Sequence, residues 1–569
     1  MADPRAQYYT IGAVLAALVL PAYVFVSRAR QNALVRQYTA TVDLQEVGKP
    51  RAGGKLHGTV VVCGASFAGL MSARVCSDHF ERIIVVEPEA WVLSDEARTG
   101  PLITGTRKVI SSSGVEYETY THKRSRVVQY LGAHVYQVFL SRFFRKLFPD
   151  FDSKAKARGI MYAPAEYRAR INGWTLGYPY AEYAARGEDL PQSIFSARRT
   201  LESLLGAVVH ETCPEIEYIN GTATAFNLAD NGTRVDSVAV RLADGTMQNI
   251  ACAMVIDCTG NTQAGLKLLG RALPPNKPLP PRLRAAYDPQ MNLSGISVPI
   301  PPGWDEAIEP IRSEFAHPLC KVPTSQIGHY ITWAVDPDRD NHTFFISRSD
   351  AGLSVGTYGW AGEMPVSLEQ VREYITKLVG ELPPPEFISK MLDLIEPVQD
   401  QGTSVEIRVN SCSRIFYETA HEVLPCNFVA VGDSTMRLNP RFGEGVTKSA
   451  VGATTLDGVL RKYREGPAHP AFGRTFFKRL ADRTFSLWDA SKTTDYGAAT
   501  TTPVEGETLK DGAFQRWYTH HLIRASARDE KLASAFWHVG NFLAPGAILS
   551  TPSVMFKVLW QATFPSTPI

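Results

Sequence analysis

Three short segments of the chain carry residue types able to hold a phosphate-bearing ligand, and each follows a run of apolar residues. The first is Gly64-Ala-Ser66-Phe-Ala-Gly69, directly after Val60–Val62 and before a stretch of helical character. Phosphate oxygens are bound by backbone N–H groups at a helix N-terminus, and close approach needs positions with little side chain. Gly64 permits a tight turn and Gly69 lets the helix lie close to the strand. Ser66 stands where a middle glycine is usual and adds a hydroxyl donor. Glu87 ends the next strand, 23 residues after Gly64, where a carboxylate accepts from ribose hydroxyls. The bland alternative is a glycine turn between packed elements. Strand before, helix after and acid at this spacing together favour a dinucleotide site.

The second segment, Met254-Val-Ile-Asp257-Cys-Thr259-Gly260-Asn261, is a strand ending in Thr-Gly, soon after the hairpin signal Asp244-Gly245. The third, Asn427-Phe-Val-Ala-Val-Gly432-Asp433, is another apolar strand. It leads through Asn439-Pro-Arg-Phe-Gly443-Glu-Gly445 into a helix. Other chemically tempting residues have plainer readings. His134 on an aromatic stretch is more often a packing residue than a ligand contact. Cys258 beside Thr259 fills a tight strand end, and Arg414 near Tyr417 reads equally well as structural. No cluster has metal-ligand spacing, and no Ser/His/Asp set stands out.

The elements that must position these segments are spread over 569 residues, more than one compact core usually holds, so two or more interleaved lobes are expected. Hydrophobic residues at 44% and charged residues at 20% describe a folded chain. A net charge of +2 offers no basic excess for nucleic acid. The eight cysteines are scattered without a CxxC pair, which favours a reducing compartment. Residues 100–125, rich in Gly, Ser and Thr, read as a long loop. Helices are expected near 126–149, 194–210 and 367–380, with short strands over 215–260. Strand-like runs HYITWAV and HTFFISR fall within 320–420, and the tail from 510 reads as helical.

The N-terminus departs from this average. Ile11 to Val26 carry no charge, and with Tyr9, Thr10 and Ser27 a helix would be about 28 Å long, near the thickness of an ER-type hydrocarbon layer. Arg28, Arg30 and Arg36 follow it, which places the body of the protein in the cytosol. A cleaved signal peptide is the competing reading, weakened by those arginines. The expected organisation is a membrane anchor over 1–35, a linker over 36–57 and a cofactor domain over 58–270. A substrate domain over 271–425, a closing cofactor segment over 426–465 and a helical C-terminal region over 466–569, apolar enough in its last part to touch a membrane, complete it.

The order GxSxAG, R-x-x-LE (Arg198 to Glu202), VIDxTG and GDS-x4-NPxxGxG resembles the group A FAD-dependent monooxygenases, over about residues 58 to 465. Within that group the chain is most similar to the squalene epoxidase-like and polyether epoxidase-like branch. Arg124-Ser-Arg-Val-Val-Gln129-Tyr-Leu-Gly-Ala-His134 resembles that branch's Arg-x-Gly-Val-x-Gln-x-x-His-x-His segment with its first histidine lost, and Tyr417-Glu418 fits its Tyr-Glu. The resemblance implies an α/β fold with a Rossmann-type FAD-binding domain, of the para-hydroxybenzoate hydroxylase kind, interleaved with a mixed-sheet substrate domain. It implies that Gly64, Ser66, Gly69 and Gly260 form the cofactor turns and that Glu87 binds the adenosine ribose. Arg124 and Arg198 would lie along FAD, Gly432 and Asp433 at its ribityl–pyrophosphate part, and Gly443 and Gly445 beside the isoalloxazine. NAD(P)H would visit as a transient reductant. O2 would add to reduced flavin as a C4a-hydroperoxide, and an apolar substrate of terpenoid or polyketide type, as in fungal-type secondary metabolism, would be epoxidised or hydroxylated. No residue is singled out for catalysis.

Two positions depart from the pattern. Asn261 stands where arginine is usual, and Glu444 replaces a common glutamine beside the flavin. The Trp-x-Trp-x-Ile-Pro segment of flavin halogenases is absent, as is a second GxGxxG. A reductase or dehydrogenase of geranylgeranyl reductase type on the same fold stays open, as does a non-enzymatic platform.

Overall fold

The computed structural model describes residues 25–127, 129–132, 134–229 and 232–564. Its first layer is a seven-stranded sheet ordered Met247–Ala251, Val235–Leu242, Glu217–Leu228, Phe80–Glu87, Leu56–Cys63, Met254–Asp257, Phe428–Ala430. The last five of these run parallel, with Val60 opposite Ile83 on one side and Met254 on the other. Parallel strands covered on both faces read as unbroken apolar runs. Val60, Val61, Val62, Val255 and Ile256 are accordingly buried. The helices Phe67–Ser77 and Gly445–Lys462 pack together against this sheet.

The second layer is a mixed seven-stranded sheet ordered Thr403–Arg408, Met291–Val298, Gly352–Trp360, His342–Ser349, His329–Ala334, Ala169–Ile171, Trp174–Thr175. It therefore takes strands from residues 169–175 as well as from 291–408. The helices Leu368–Thr376 and Phe387–Ile395 close its core with Trp333, Phe344 and Met391. Arg284–Tyr287, Cys412–Ile415 and Met436–Arg437 form a small sheet leading back to the first layer. The chain ends in the helices Phe472–Asp495, Ala513–Ser526, Glu530–Gly540 and Pro552–Thr563.

Several local expectations need correction. Residues 100–125 are not all loop: Gly105–Ile110 and Glu116–Thr121 form a hairpin, stitched by Lys108–Glu116 at 2.7 Å and Thr106–Glu118 at 2.6 Å. Cross-strand pairs outweigh the loop-like composition there. The helix expected from 126 starts only at Val138. Before it, the chain serves other elements: Val135 bridges Phe195, and Gln137 exchanges hydrogen bonds with Thr447. The stretch 36–57, read as a linker, packs down instead, with Ala40, Leu44 and Val47 buried. Arg51 also donates to the carbonyls of Leu460, Tyr463 and Arg464. The expected membrane helix lies outside the described residues except for its end, Phe25 to Ser27. No helix among the described residues is long and apolar enough to cross a membrane, so the anchor has no support in the structure.

Candidate cofactor and substrate cavity

A cavity of about 1420 Å³ lies between the two layers. All the cofactor residues expected from the sequence line it except Gly69 and Gly432, which shape its turns from behind. Gly64 has φ of +115°, and a Cβ there would stand 2.4 Å from the Cys258 carbonyl oxygen. A Cβ on Gly69 would meet the Gly64 carbonyl oxygen at 1.8 Å, so the helix can begin against the turn only without a side chain. Gly432 has φ of +73°, and a Cβ would press on Ala68 and Ser449 at 2.9 Å. Gly260 and Gly445 are bare for the opposite reason: nothing lies within 4 Å of a Cβ at either, and both face open cavity.

Charged side chains organise the first turn. Glu87 accepts the Ala65 N–H at 2.8 Å and the Glu89 N–H at 2.9 Å. A carboxylate has about four lone-pair sites, so acceptor capacity remains. Burial raises its pKa, against the pull of Arg124 and those two amides. Arg124 is itself buried and bridges Glu89 and Glu202, the latter at 3.1 Å. Its guanidinium would lose affinity for its proton through burial, but Glu202, Glu87 and Glu89 more than compensate. Glu202 also receives Ser66 Oγ at 3.0 Å and Arg198 Nε at 3.1 Å. Burial opposes its charge, yet the two arginines and the serine hold its pKa below the usual value.

The second and third segments share one buried carboxylate. Asp257 accepts from Thr259 N and Oγ1 at 2.9 and 2.7 Å, from Gly265 N at 3.0 Å and from Ser434 Oγ at 3.1 Å. Ser434 Oγ lies 3.0 Å from the Gly260 N–H, so the Thr-Gly turn and the Gly-Asp turn are held together. Asp433 accepts from Lys448 Nζ at 2.8 Å, and the buried Lys448 also donates to the Met436 carbonyl. Asn439 caps the following turn through Oδ1, which accepts the Arg441 N–H at 3.1 Å. Gly443, at φ +66°, lies against Val135, whose carbonyl oxygen would be 3.0 Å from a Cβ.

Glu444 lines the cavity between those glycines at the N-cap of the helix Gly445–Lys462. A helix N-terminus favours a carboxylate by about 0.3–1 kcal/mol, whereas burying an unpaired one costs several kcal/mol. Burial wins: its pKa rises to about 8, with Lys448 only partly opposing.

Farther from the turns the walls are apolar. Trp174, Leu176, Phe345 and Ile407 come from the second layer, and Tyr518 and Leu522 from the tail helix Ala513–Ser526. Sequence reasoning missed that helix as a wall, because nothing in its pattern separates a cavity face from a core face. It missed Arg441 too, which lines the cavity with its guanidinium 4.7 Å from the Trp360 ring centre. Of the tempting residues, His134 lines the cavity, bonded to the Gly132 carbonyl at 2.8 Å, with burial lowering its pKa to about 4. Cys258 is buried, and burial raises its thiol well above the ordinary range. Arg414 is structural, paired with Glu418 and stacked on Phe416. Among the described residues no group of His, Cys, Asp or Glu is arranged to hold a metal.

No protein-family model matches the chain, and no curated protein matches it either. Among solved structures it is similar to a flavoprotein/dehydrogenase from Cytophaga hutchinsonii, at 11% identity and TM-score 0.52, covering 89% of this chain and 98% of that one. It is also similar to the flavin-dependent brominase Bmp2, at 12% identity and TM-score 0.48 over 89% and 99% of the two chains. A third likeness is to OxyS, the anhydrotetracycline hydroxylase from Streptomyces rimosus, at 15% identity and TM-score 0.46 over 85% and 76%. The first of these likenesses shows the architecture: the chain has the mixed α/β fold of a flavoprotein.

Proposed function

We propose that the chain is an FAD-dependent monooxygenase that uses NAD(P)H and O2 to oxygenate an apolar small molecule, by epoxidation or hydroxylation. The observation that carries this reading is the convergence of three sequence-distant segments on one cavity: the Gly64 turn, the Thr259-Gly260 turn and the Asp433–Gly445 segment. Their chemistry fits a dinucleotide, with bare glycines at the turns, acceptor capacity on Glu87 and open space at Gly260 and Gly445. In this reading Glu87 binds the adenosine ribose, Arg124 and Arg198 line the cofactor, and Asp433 holds its ribityl–pyrophosphate part. Gly443 and Gly445 leave room for the ring, with N–H groups at the helix N-terminus available for negative charge. Bound FAD would supply the two-electron chemistry that activates O2. The protein's part is to orient substrate and exclude water, which the apolar walls support.

The finer reading, a member of the squalene epoxidase-like or polyether epoxidase-like branch, rests on the motif order and the Arg124 to His134 segment. Membrane contact rests on the apolar N-terminal residues and on Phe556, Leu559 and Trp560, exposed on the helix Pro552–Thr563. A reductase or dehydrogenase is the second reading, favoured by the flavoprotein/dehydrogenase whose fold is shared. The deciding experiment is the visible spectrum of the purified protein, before and after anaerobic NADPH and on return of air. It is followed by product analysis under labelled O2. Flavin bands that bleach and recover, with label in the product, support the monooxygenase. A product without label transfers the case to the reductase, and a colourless protein that takes up no FAD overturns both.

A further inference from the structure

The second layer turns one face of its sheet to the cavity, and the register shows which residues stand together there. Val405, Gly295, Gly356, Phe345 and Thr332 form one row across five neighbouring strands. All of them but Gly356 line the cavity. Two features of this face answer no need of the fold.

The first is Gly295, in the middle of the strand Met291–Val298 and without a positive φ. A Cβ there would find only Val405 Cγ1, at 3.8 Å, an ordinary contact. Neither backbone conformation nor packing asks for glycine, and glycine weakens a strand interior unless something must come close to it. On Gly356, its direct partner in the next strand, the same bare patch is filled: a Cβ would run into the Phe345 ring, which lies over it. Opposed residues share a face about 5 Å apart, and aromatic rings pack with centres about 4.5–7 Å apart. The sheet thus seats one flat ring of the protein's own and leaves the adjoining seat bare.

The second is His329. Strict alternation back from Thr332 would put Tyr330 on the cavity face and His329 in the core. A bulge reverses this: Thr332 and Ile331 pair with Phe345 and Ile346, but the next pair is His329 with Ser347. Tyr330 and Ile331 both enter the core, and His329 lines the cavity instead. Bulges re-aim side chains in this way beside ligand sites. The His329 ring is 2% exposed and lies 6.3 Å from the Phe345 ring at an interplanar angle of 21°. Its Nε2 is 2.6 Å from Thr332 Oγ1, while Nδ1 is buried without a hydrogen-bond partner. Burial keeps the ring neutral, pushing its pKa down to about 3 against the pull of the Ile331 backbone. A neutral imidazole offers one donor and one acceptor, so one of the two stays unused.

We propose that this face seats the substrate: a flat, apolar ring system lies on Gly295 beside Phe345, and a hydroxyl on it bonds to His329 Nδ1. A hydroxyl suits either tautomer, because it can donate or accept. His329 then fixes which edge of the ring system faces the cofactor turns. The fate of the ligand rests on the oxygenase reading above, whereas the seat itself does not need it.

The test is equilibrium binding of defined probes to the full-length protein: 1-naphthol, 2-naphthol and 9-phenanthrol against naphthalene and phenanthrene. At least one phenol should bind wild type about fivefold tighter than its parent hydrocarbon, the order of one net hydrogen bond. His329→Phe, which keeps a ring in place, should abolish that preference while still binding the hydrocarbon. His329→Asn, whose amide can stand near the Nδ1 position, should restore part of it and serves if the phenylalanine is not tolerated. Gly295→Val has room to fold and should weaken phenol and hydrocarbon alike by about tenfold or more, because its side chain takes the seat. Decahydro-2-naphthol, with the hydroxyl on a puckered ring, should bind wild type less well than 2-naphthol. No phenol preference in wild type, or one that survives in His329→Phe, overturns the role of His329. Undiminished binding in Gly295→Val, or equal binding of the puckered alcohol, overturns the flat seat. Flavin absorbance is read on the same samples: the expected binding pattern in protein that takes up no FAD overturns the cofactor reading and leaves this seat standing.

Discussion

Asn439 Nδ2 lies 2.9 and 3.1 Å from the two carboxylate oxygens of Asp495, at the end of the helix Phe472–Asp495. The same amide caps the turn before Gly443, so one side chain ties the cavity floor to the C-terminal region. Asp495 also accepts from Tyr287 Oη at 2.8 Å and from Trp360 Nε1 at 3.1 Å. All three partners donate, so an Asp495→Asn amide would turn one of its donors against a donor. An unsatisfied buried group costs about 1–3 kcal/mol. The variant should lose stability by that order and hold FAD less tightly. A thermal unfolding midpoint and flavin content equal to wild type would show that this tie carries nothing.

The same carboxylate predicts a pH effect. Burial raises the Asp495 pKa from 3.8 to about 6, against the pull of Arg441 and its donors. The folded form holds its proton where the unfolded chain has released it. Stability from this group is therefore full below about pH 4 and declines as pH rises towards 6, by about 3 kcal/mol at most. Urea unfolding at pH 4.5, 5.5 and 6.5 on wild type and Asp495→Asn isolates it. The wild-type curve should fall relative to the variant across that range, and parallel curves would refute the assignment.

Two glycines predict opposite outcomes from the same substitution. Gly69→Ala places a Cβ 1.8 Å from a carbonyl oxygen and must push the helix Phe67–Ser77 off its turn. It should unfold readily and bind no FAD. Gly445→Ala meets nothing within 4 Å and improves a helical position, by up to about 1 kcal/mol. It should keep or raise the unfolding temperature while lowering FAD affinity, because the added methyl enters the cavity. Unchanged FAD affinity in Gly445→Ala would remove the ring from that end of the helix.

These contrasts show where the sequence is legible. The turns at Gly64, Gly432 and Gly443 could be read because each needs a residue type and a spacing that few other structures need. Glu87 could be read because it ends a strand at a set distance from a turn. Asp495 and Glu89 could not. Each matters through partners far away in the chain, 56 residues from Asn439 and 35 from Arg124, and no local pattern marks them. The hairpin over 105–121 was hidden by Gly, Ser and Thr, and the late start of the helix at Val138 by apolar residues that pack equally well without a helix.

Asp433 needs a double variant to be understood. Asp433→Ala leaves the Lys448 ammonium buried with its carboxylate removed; because Asp433 is itself more than a third exposed and Lys448 keeps the Met436 carbonyl, the cost falls below the about 3–5 kcal/mol of a fully buried pair. Loss of FAD in the single variant would therefore report instability as much as a missing contact. Lys448→Met removes the orphan charge and keeps the volume. Asp433→Ala with Lys448→Met should recover most of the unfolding temperature and still bind FAD poorly. Recovery of both would mean that Asp433 serves only Lys448, and its placement on the cofactor would be wrong.

The tail offers a prediction about membranes that does not depend on the N-terminal residues. Phe556, Leu559, Trp560 and Phe564 are each more than half exposed on or beside the helix Pro552–Thr563, and Phe514 and Trp517 are exposed on Ala513–Ser526, which packs against it. Contiguous apolar surface of this kind marks an interaction site more often than a solvated face. At 12 residues the helix is too short to cross a bilayer but long enough to lie in its interface. Met555 and Tyr518 on these helices also line the cavity, so such contact would set its opening beside the acyl chains. Full-length Phe556→Ser with Trp560→Ser should co-sediment with phosphatidylcholine vesicles at least several-fold less than wild type, with FAD content unchanged. Equal co-sedimentation would assign any membrane contact to the N-terminal residues and leave these aromatics without that role.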